Sequence, residues 1–144
     1  MGPDALTLTR TFHFSAGHRL VSPAVSEEEN RTLYGPCFRP HGHNYLLEVT
    51  VGGQPDPHTG MAADLNALES AVRRAVLDLV DHRNLDADVP ALTGIITTGE
   101  NLAQAFWGML SQALPAGVLR RVAVVETANN TFEYCGERSD GDAE

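Results

Sequence analysis

Residues 37–51 read CFRPHGHNYLLEVTV, in which two histidines separated by one glycine run directly into an alternating apolar segment. From Asn44 to Val51 an apolar residue recurs at every second position, which predicts a half-buried strand. In an extended chain the side chains of positions i and i+2 leave the same face, so His41 and His43 can point at one ion. Cys37 adds a thiol four residues ahead of the first histidine.

A third imidazole is available upstream, at His18, close to the end of another predicted strand. Neutral imidazoles suit zinc, and three protein ligands leave the fourth position of the ion open for water or substrate. The remaining candidates His13 and His58 lie outside any metal-ligand spacing, and we expect both to be structural or surface residues. The sequence therefore predicts a zinc centre of the catalytic kind at His18, His41 and His43.

The composition is that of one globular domain, spanning 1–144 with a core of about 6–137 and an acidic tail at 138–144. The net charge of −9 argues against nucleic acid or an anionic membrane as a partner. No apolar run in the sequence is close to the length of about 20 residues that a helix needs to span a bilayer. With no signal-peptide pattern and only two distant cysteines, the expected location is the cytoplasm.

Hydrophobic periodicity predicts two helices and four strands. The first helix begins at Asp64, a good N-cap, and places Leu65, Leu68, Val72, Val76 and Leu79 at helical spacing up to about residue 80. The second begins near Thr98 and stops at Pro115. The predicted strands are 6–15, 44–51, 118–127 and 131–135, and 22–35 is a predicted polar loop. This order predicts an α+β fold, an antiparallel four-stranded sheet with two helices on one face.

Cys37 has two possible roles. Beside a dication and near Arg39 its thiolate form is favoured, and a thiolate is a useful base or nucleophile. As a fourth zinc ligand it would instead close the site and make it structural. Cys135, on the last strand, is expected to be inert.

Asp81 and Glu126 are two further candidate site residues. Asp81 precedes His82 just after the first helix. An aspartate that orients a histidine can adjust the pKa of the ring, so that the histidine carries protons. Alternatively, His82 lies there because the dipole of a helix favours a cation at the C-terminus. Glu126 shares the strand face of Val122 and Val124, so a carboxylate interrupts an apolar face and needs partners. It either reaches solvent at the strand end or accepts hydrogen bonds from a ligand with adjacent N–H donors.

Five segments together resemble the 6-pyruvoyl-tetrahydropterin synthase / 6-carboxy-tetrahydropterin synthase family. They are SAGHRL (15–20), CFRPHGHNY (37–45), LVDHRNL (79–85), TGEN (98–101) and VVET (124–127). The resemblance runs from about residue 8 to 137 in the family's order. It implies the tunnelling fold, in which sheets of several subunits close a barrel, as a homo-hexamer of two trimers with the sites between subunits.

The resemblance also implies a chemistry. The substrate would be the small molecule dihydroneopterin triphosphate, and one Zn²⁺ per subunit, held by His18, His41 and His43, would polarise its side-chain hydroxyls. Cys37 would accept a proton from that side chain, and His82, oriented by Asp81, would relay protons. Glu126 would hold the amino and ring N–H edge of the pterin, with Thr98 lining the pocket.

Within this family the spacing of Cys37 and His41 indicates the product. Three residues between them match the 6-carboxy type, whereas the segment 29–36 and the Asn129-Asn130 turn resemble the 6-pyruvoyl type. We therefore expect a zinc-dependent lyase that releases triphosphate and acetaldehyde and forms 6-carboxy-tetrahydropterin, a queuosine (deazaguanine) precursor. The alternative product is 6-pyruvoyl-tetrahydropterin, of the tetrahydrobiopterin-type pathway. A pterin-binding module that has kept the fold without catalysis is the non-enzymatic alternative.

Overall fold

Five strands and four α-helices form the fold within the residues that the structure describes. The structure, a computed structural model, describes residues 6–136, so residue 137 and the predicted acidic tail lie outside the described part. The strands are β1 (Thr7–His18), β2 (His41–Gly52), β3 (Arg83–Asn84), β4 (Leu119–Thr127) and β5 (Asn130–Tyr134). The helices are α1 (Glu27–Tyr34), α2 (Leu65–Val72), α3 (Asp78–Val80) and α4 (Gly99–Ala113), with 3₁₀ turns at Gly35–Phe38 and Pro90–Leu92.

The strands form one sheet in the order β3-β1-β2-β4-β5. The four long strands are antiparallel neighbours, which confirms the predicted sheet and the α+β class. The short β3 adds a parallel edge beside Ala16 and Gly17. It was not predicted, because two residues carry no alternating pattern.

Alternate residues of the sheet face the helices and form the core. Phe12, Phe14, Tyr45, Leu47 and Val49 are all buried on this face, as the alternation predicts. The helices contribute Leu68, Val72, Val76, Leu102 and Phe106 to the same cluster. The opposite face of β1 carries the exposed residues Thr7, Thr9, Thr11 and His13. None of the helices in residues 6–136 is long and apolar enough to cross a membrane.

The predicted helix starts are confirmed by their caps. The Asp64 side chain accepts hydrogen bonds from the N–H groups of Asn66 and Ala67, at 3.0 and 3.1 Å. The Thr98 hydroxyl accepts from the N–H of Asn101 at 3.3 Å. These bonds satisfy N–H groups that have no partner within the first helical turn.

The prediction of a loop across residues 22–35 is wrong, because α1 lies inside it. Ser26 and Glu29 form a capping box: the Ser26 side chain accepts from the Glu29 N–H, and the Glu29 carboxylate accepts from the Ser26 N–H. The buried amide of Asn30 ties the helix back to both the N–H and the carbonyl of Ser22. The buried residue of α1 is the polar Asn30, and the apolar residues Leu33 and Tyr34 are adjacent in sequence, so no apolar residue recurs at helical spacing.

One residue of the predicted apolar face of the long helix, Leu79, does not lie in the core. The segments α2 and α3 are joined by a π-helical segment, Arg73–Leu77, which inserts one residue into the helical repeat. The buried residues after this segment therefore lie at other positions than a regular α-helix would give. Leu77 is 4% exposed, whereas Leu79, which helical spacing places on the apolar face, is 41% exposed. The helix still reaches Val80, so its length was predicted correctly.

Candidate functional site

Three histidines meet where β1 and β2 pair. His18 lies directly across from His41, and His43 follows two residues along β2 on the same face. One potential ligand atom from each ring lies within 4.8 Å of the other two. Both strands extend further than predicted, to His18 and from His41, so that all three side chains project from paired backbone. This rigid placement is what a metal centre requires.

His18 is the most deeply buried of the three. It is 1% exposed, and its Nδ1 lies 2.9 Å from the carbonyl oxygen of Thr97 and 3.2 Å from the Thr97 hydroxyl. A carbonyl oxygen can only accept, so Nδ1 carries the proton and Nε2 keeps its lone pair. In this structure the Tyr45 hydroxyl lies 3.4 Å from that Nε2.

The other two rings also present a free nitrogen. The Nδ1 of His41 donates to the carbonyl oxygen of Arg39 at 2.7 Å, which leaves its Nε2 as an acceptor. The Nε2 of His43 is buried and has no hydrogen-bond partner. An orphaned buried nitrogen is costly unless something binds it, and a shared cation would do so. The three rings therefore fit a metal ion that takes nitrogen ligands.

The surroundings of His18 and His43 favour the neutral ring, which metal ligation requires. Burial, reinforced by the neighbouring His41 and His43, lowers the pKa of His18 from 6.5 to about 4. Burial also lowers the pKa of His43, although the nearby carboxylate of Glu126 opposes this shift. Burial likewise raises the pKa of Tyr45, so its hydroxyl stays protonated and can donate.

Cys37 does not belong to this histidine group among the described residues. It lies exposed in the 3₁₀ turn Gly35–Phe38, and its carbonyl oxygen accepts from the N–H of Leu20 at 2.8 Å. The thiol is free, and the structure does not close the histidine group into a four-ligand site. An open fourth position favours a catalytic role for a bound metal over a structural one.

The predicted pair Asp81 and His82 lies between α3 and β3. The two side chains approach to 3.8 Å between Asp81 Oδ1 and His82 Nε2, and the His82 ring is 82% exposed. The same Asp81 oxygen accepts from the N–H of Ser15 at 2.9 Å, which holds the carboxylate against β1. His82 has a φ of 59°, which few residues other than glycine adopt.

A cavity of about 490 Å³ lies between the turn that carries His82 and the paired ends of β1 and β2. Its wall includes both His43 and His82, together with Ser15 and Asn44, whose side chains hydrogen-bond to each other at 2.7 Å. Cys37 is not among the described residues that line it. Of the predicted site residues, His43 and His82 line this cavity, whereas His18, His41 and Asp81 do not.

Glu126 and Thr98 are positioned by a bulge and a helix cap. Pairing of β4 with β5 shifts register between Val125 and Thr127, so Glu126 lies at an irregularity of the strand. Its charge acts on both His43 and Tyr45, which places the carboxylate beside the histidine group. Thr98 is half-buried and caps α4, while the adjacent Thr97 contacts His18.

Sequence reasoning missed Thr97 and Asp86 as parts of the site. Thr97 is completely buried, and its hydroxyl donates to the Asp86 carboxylate at 2.7 Å. A threonine immediately before a helix cap carries no distinctive spacing, and its partner His18 is 79 positions away. Only the tertiary fold brings these residues together.

Other proteins are similar to this chain in sequence and in fold. The human 6-pyruvoyl tetrahydrobiopterin synthase is 46% identical over 132 residues, covering 90% of this chain and 91% of that protein. A 6-carboxy-5,6,7,8-tetrahydropterin synthase of Aquifex aeolicus is 28% identical over 156 residues, covering 88% and 96% of the two chains.

The solved 6-pyruvoyl tetrahydropterin synthase of Caenorhabditis elegans has a similar structure. It superposes with a TM-score of 0.87 at 38% identity, covering 95% of this chain and all of that one. The model of the family described as 6-pyruvoyl tetrahydropterin synthase matches residues 7–137. The chain therefore belongs to the 6-pyruvoyl tetrahydropterin synthase family.

Proposed function

We propose that this protein is a zinc-dependent lyase that converts 7,8-dihydroneopterin triphosphate to 6-pyruvoyl-tetrahydropterin with release of triphosphate. The observation that carries the proposal is the group of three histidines, each of which offers one potential ligand atom within 4.8 Å of the other two. The Nδ1 atoms of His18 and His41 donate to backbone carbonyl oxygens, and the Nε2 of His43 is buried without a hydrogen-bond partner. Membership of a tetrahydropterin synthase family supports the substrate class.

His18, His41 and His43 would hold the zinc ion. When bound there, the ion would act as a Lewis acid on the side-chain hydroxyls of the substrate. The hydrogen bonds from His18 to Thr97 and from His41 to Arg39 keep their rings in one orientation and one tautomer. Little reorganisation is then needed when the ion binds.

Cys37 and His82 would move the protons. An exposed, free thiol can approach a substrate carbon, and as a thiolate Cys37 would accept its proton. His82 and His43 both line one cavity, and a substrate side chain bound there would exchange protons with the His82 ring. Asp81, anchored by the N–H of Ser15, would orient that ring.

Glu126 and Thr98 would hold the pterin. Glu126 makes no hydrogen bond to the described residues 6–136, so both oxygens can accept from the amino group and an adjacent ring N–H. Its position beside His43 would place the pterin ring at the edge of the metal group. Thr98 would line the pocket at the start of α4.

The reaction needs no external oxidant or reductant. The two hydroxyl-bearing carbons of the side chain become carbonyl carbons, while the dihydropterin ring becomes a tetrahydropterin. Triphosphate leaves from the last side-chain carbon. The residues therefore have only to exclude water, position the side chain and carry protons between neighbouring atoms.

The 6-pyruvoyl product replaces the 6-carboxy product that the cysteine spacing predicts. The support is the 46% identity to the human 6-pyruvoyl enzyme, against 28% to the Aquifex 6-carboxy enzyme. The 6-carboxy activity stays a second candidate for one reason, the three residues between Cys37 and His41. In that reaction the side chain is also cleaved and acetaldehyde is released.

Product analysis separates the two activities and the non-enzymatic alternative. Zinc-loaded protein is incubated with 7,8-dihydroneopterin triphosphate, and the products are identified by mass spectrometry together with an acetaldehyde assay. We expect a pyruvoyl product and no acetaldehyde. Stoichiometric acetaldehyde with a carboxylated pterin would establish the second candidate, and tight pterin binding without turnover would identify a binding module.

We also propose that the complete site forms between subunits of a homo-hexamer. Cys37 does not line the cavity that His82 and His43 share, so the thiol that serves this cavity would come from a neighbouring chain. Sedimentation of the purified protein tests the assembly. Mixing Cys37→Ala with His82→Ala chains tests the shared site, because one complete site per mixed interface would restore turnover. The cytoplasmic location stays a prediction.

A further inference from the structure

A chain of hydrogen bonds runs from the histidine group to the surface. The Nδ1 of His18 contacts the Thr97 hydroxyl at 3.2 Å, and that hydroxyl contacts Asp86 Oδ1 at 2.7 Å. Thr97 is completely buried, whereas Asp86 lies at the exposed outer end. The chain thus connects a proposed metal ligand to a carboxylate that does not touch the metal group.

The direction of each bond follows from the chemistry of the groups. A carboxylate only accepts, so the Thr97 hydroxyl must donate to Asp86, which leaves the oxygen of that hydroxyl as an acceptor. The Nδ1 proton of His18 is then shared between this oxygen and the Thr97 carbonyl oxygen at 2.9 Å. The Nδ1 of His18 thus carries the proton, and its Nε2 keeps the lone pair.

Asp86 is itself held in place from two further sides. Its Oδ2 accepts from the N–H of Arg19 at 2.9 Å, which ties it to the residue after β1. Its own N–H donates to the Asn84 side chain at 2.9 Å, which ties it to β3. Asp86 is therefore fixed relative to β1, which carries His18, and to the adjacent β3.

We propose that Thr97 and Asp86 are positioning residues of the metal centre, which hold His18 in one tautomer and ring orientation and so increase zinc affinity. The inference deepens the proposed zinc-dependent function and rests on it. Removing the hydrogen-bond partner of a metal-binding histidine typically weakens metal binding by about 10- to 100-fold.

The test measures the zinc dissociation constant by competition with a chromogenic chelator. Thr97→Val keeps the size of the side chain and removes the hydroxyl, whereas Thr97→Ser keeps the hydroxyl. Asp86→Asn keeps the shape and removes the charge. Asp88→Asn is the matched control, because Asp88 accepts from the N–H of Asn84 in the same turn and does not contact Thr97.

We expect Thr97→Val and Asp86→Asn to raise the zinc dissociation constant at least about fivefold. Thr97→Ser and Asp88→Asn should raise it by less than about fivefold. The double variant should be weakened less than the product of the single effects, since both act through one chain. The d–d absorption bands of the cobalt-loaded protein should shift in Thr97→Val and return to the parent position in Thr97→Ser. A merely structural role would not predict this spectral rescue.

The inference is overturned if both Thr97→Val and Asp86→Asn bind zinc within about fivefold of the parent, or if Thr97→Ser behaves like Thr97→Val. Should Thr97→Val fail to fold by circular dichroism, Asp86→Asn at the exposed end of the chain decides alone. Failure of the proposed function is distinguishable, because a parent protein that binds no zinc contradicts both. A parent that binds zinc tightly alongside insensitive variants contradicts the inference alone.

Discussion

The N–H of His82 donates a 2.6 Å hydrogen bond to the carbonyl oxygen of Ser15. This bond, together with the bond from the Ser15 N–H to Asp81, fastens the end of the long helix to β1. It also holds His82 at a φ of 59°, where a side chain costs about 1–2 kcal/mol. Strain that persists at an exposed imidazole beside a cavity indicates a functional reason for the residue.

Replacing His82 should therefore separate stability from activity. We expect His82→Gly to gain up to about 1 kcal/mol of unfolding free energy, because glycine adopts positive φ freely. His82→Asn should be nearly neutral, since asparagine tolerates this region. Both should lose about 10²–10⁴-fold in turnover if the ring carries protons. Urea unfolding and a product assay measure the two quantities.

The neighbouring Arg83→Gly is the control for the stability effect. Arg83 lies in β3 and has no positive φ, so glycine there should cost about 0.5–1 kcal/mol. If His82→Gly loses as much stability as this control, the backbone at His82 is not strained.

Cys37→Ala should abolish turnover while leaving zinc and pterin binding unchanged. The thiol is exposed and lies outside the histidine group, so its removal should alter the unfolding free energy by less than about 0.5 kcal/mol. Atomic absorption gives the zinc content, and fluorescence titration gives pterin binding. The matched variant Cys135→Ala, also an exposed free thiol, should retain full turnover. Loss of zinc from Cys37→Ala would instead identify a fourth ligand.

The start of α4 depends on a glycine that allows close packing against β5. A Cβ built on Gly99 would lie 2.0 Å from Cδ2 and 2.3 Å from Cε2 of the Phe132 ring. Gly99→Ala should therefore cost about 1–3 kcal/mol through overpacking. Gly108, in the same helix, has no heavy atom within 4 Å of such a Cβ. Gly108→Ala should gain about 0.5–1 kcal/mol from helix propensity. Denaturant unfolding of both variants tests this opposite sign.

The central strand β2 and its buried face could be predicted because an apolar residue recurs at every second position. Tyr45, Leu47 and Val49 follow one another at every second position, and all three are buried. Helix α1 was missed although its capping box, Ser26 and Glu29, is visible in the sequence, because its one buried residue is the polar Asn30. Leu79 was misplaced because periodicity assumes a regular α-helix, and the π-helical segment shifts the buried stripe.

The convergence of the three histidines could be predicted in part from local spacing. His41 and His43 share a face of any strand, and His18 comes from the end of a strand that pairs with it. The supporting hydrogen bonds could not be predicted, since the contact of Thr97 with His18 depends on how α4 docks on the sheet. Cys37 lies outside the histidine group, although only three residues separate it from His41.

The buried His18 should also make the metal-free protein sensitive to acid. Because its pKa is lowered to about 4 in the folded chain against 6.5 in the unfolded chain, the unfolded chain binds more protons between these values. Stability therefore falls as the pH drops from 6.5 to about 4, by about 3 kcal/mol in all from this residue. Denaturant unfolding of chelator-treated protein across this range measures the slope.

Two variants assign this slope to His18. His18→Gln removes the titrating ring, so the difference in unfolding free energy between parent and variant should shrink as the pH falls from 6.5 to 4. His13→Gln replaces an exposed histidine on the opposite face of β1 and should follow the parent at every pH. A parent and a His18→Gln variant that stay a constant free energy apart would show that His18 does not carry the acid sensitivity. Saturating zinc should steepen the loss in the parent, because the ligands bind the ion only when neutral and protons then compete with it.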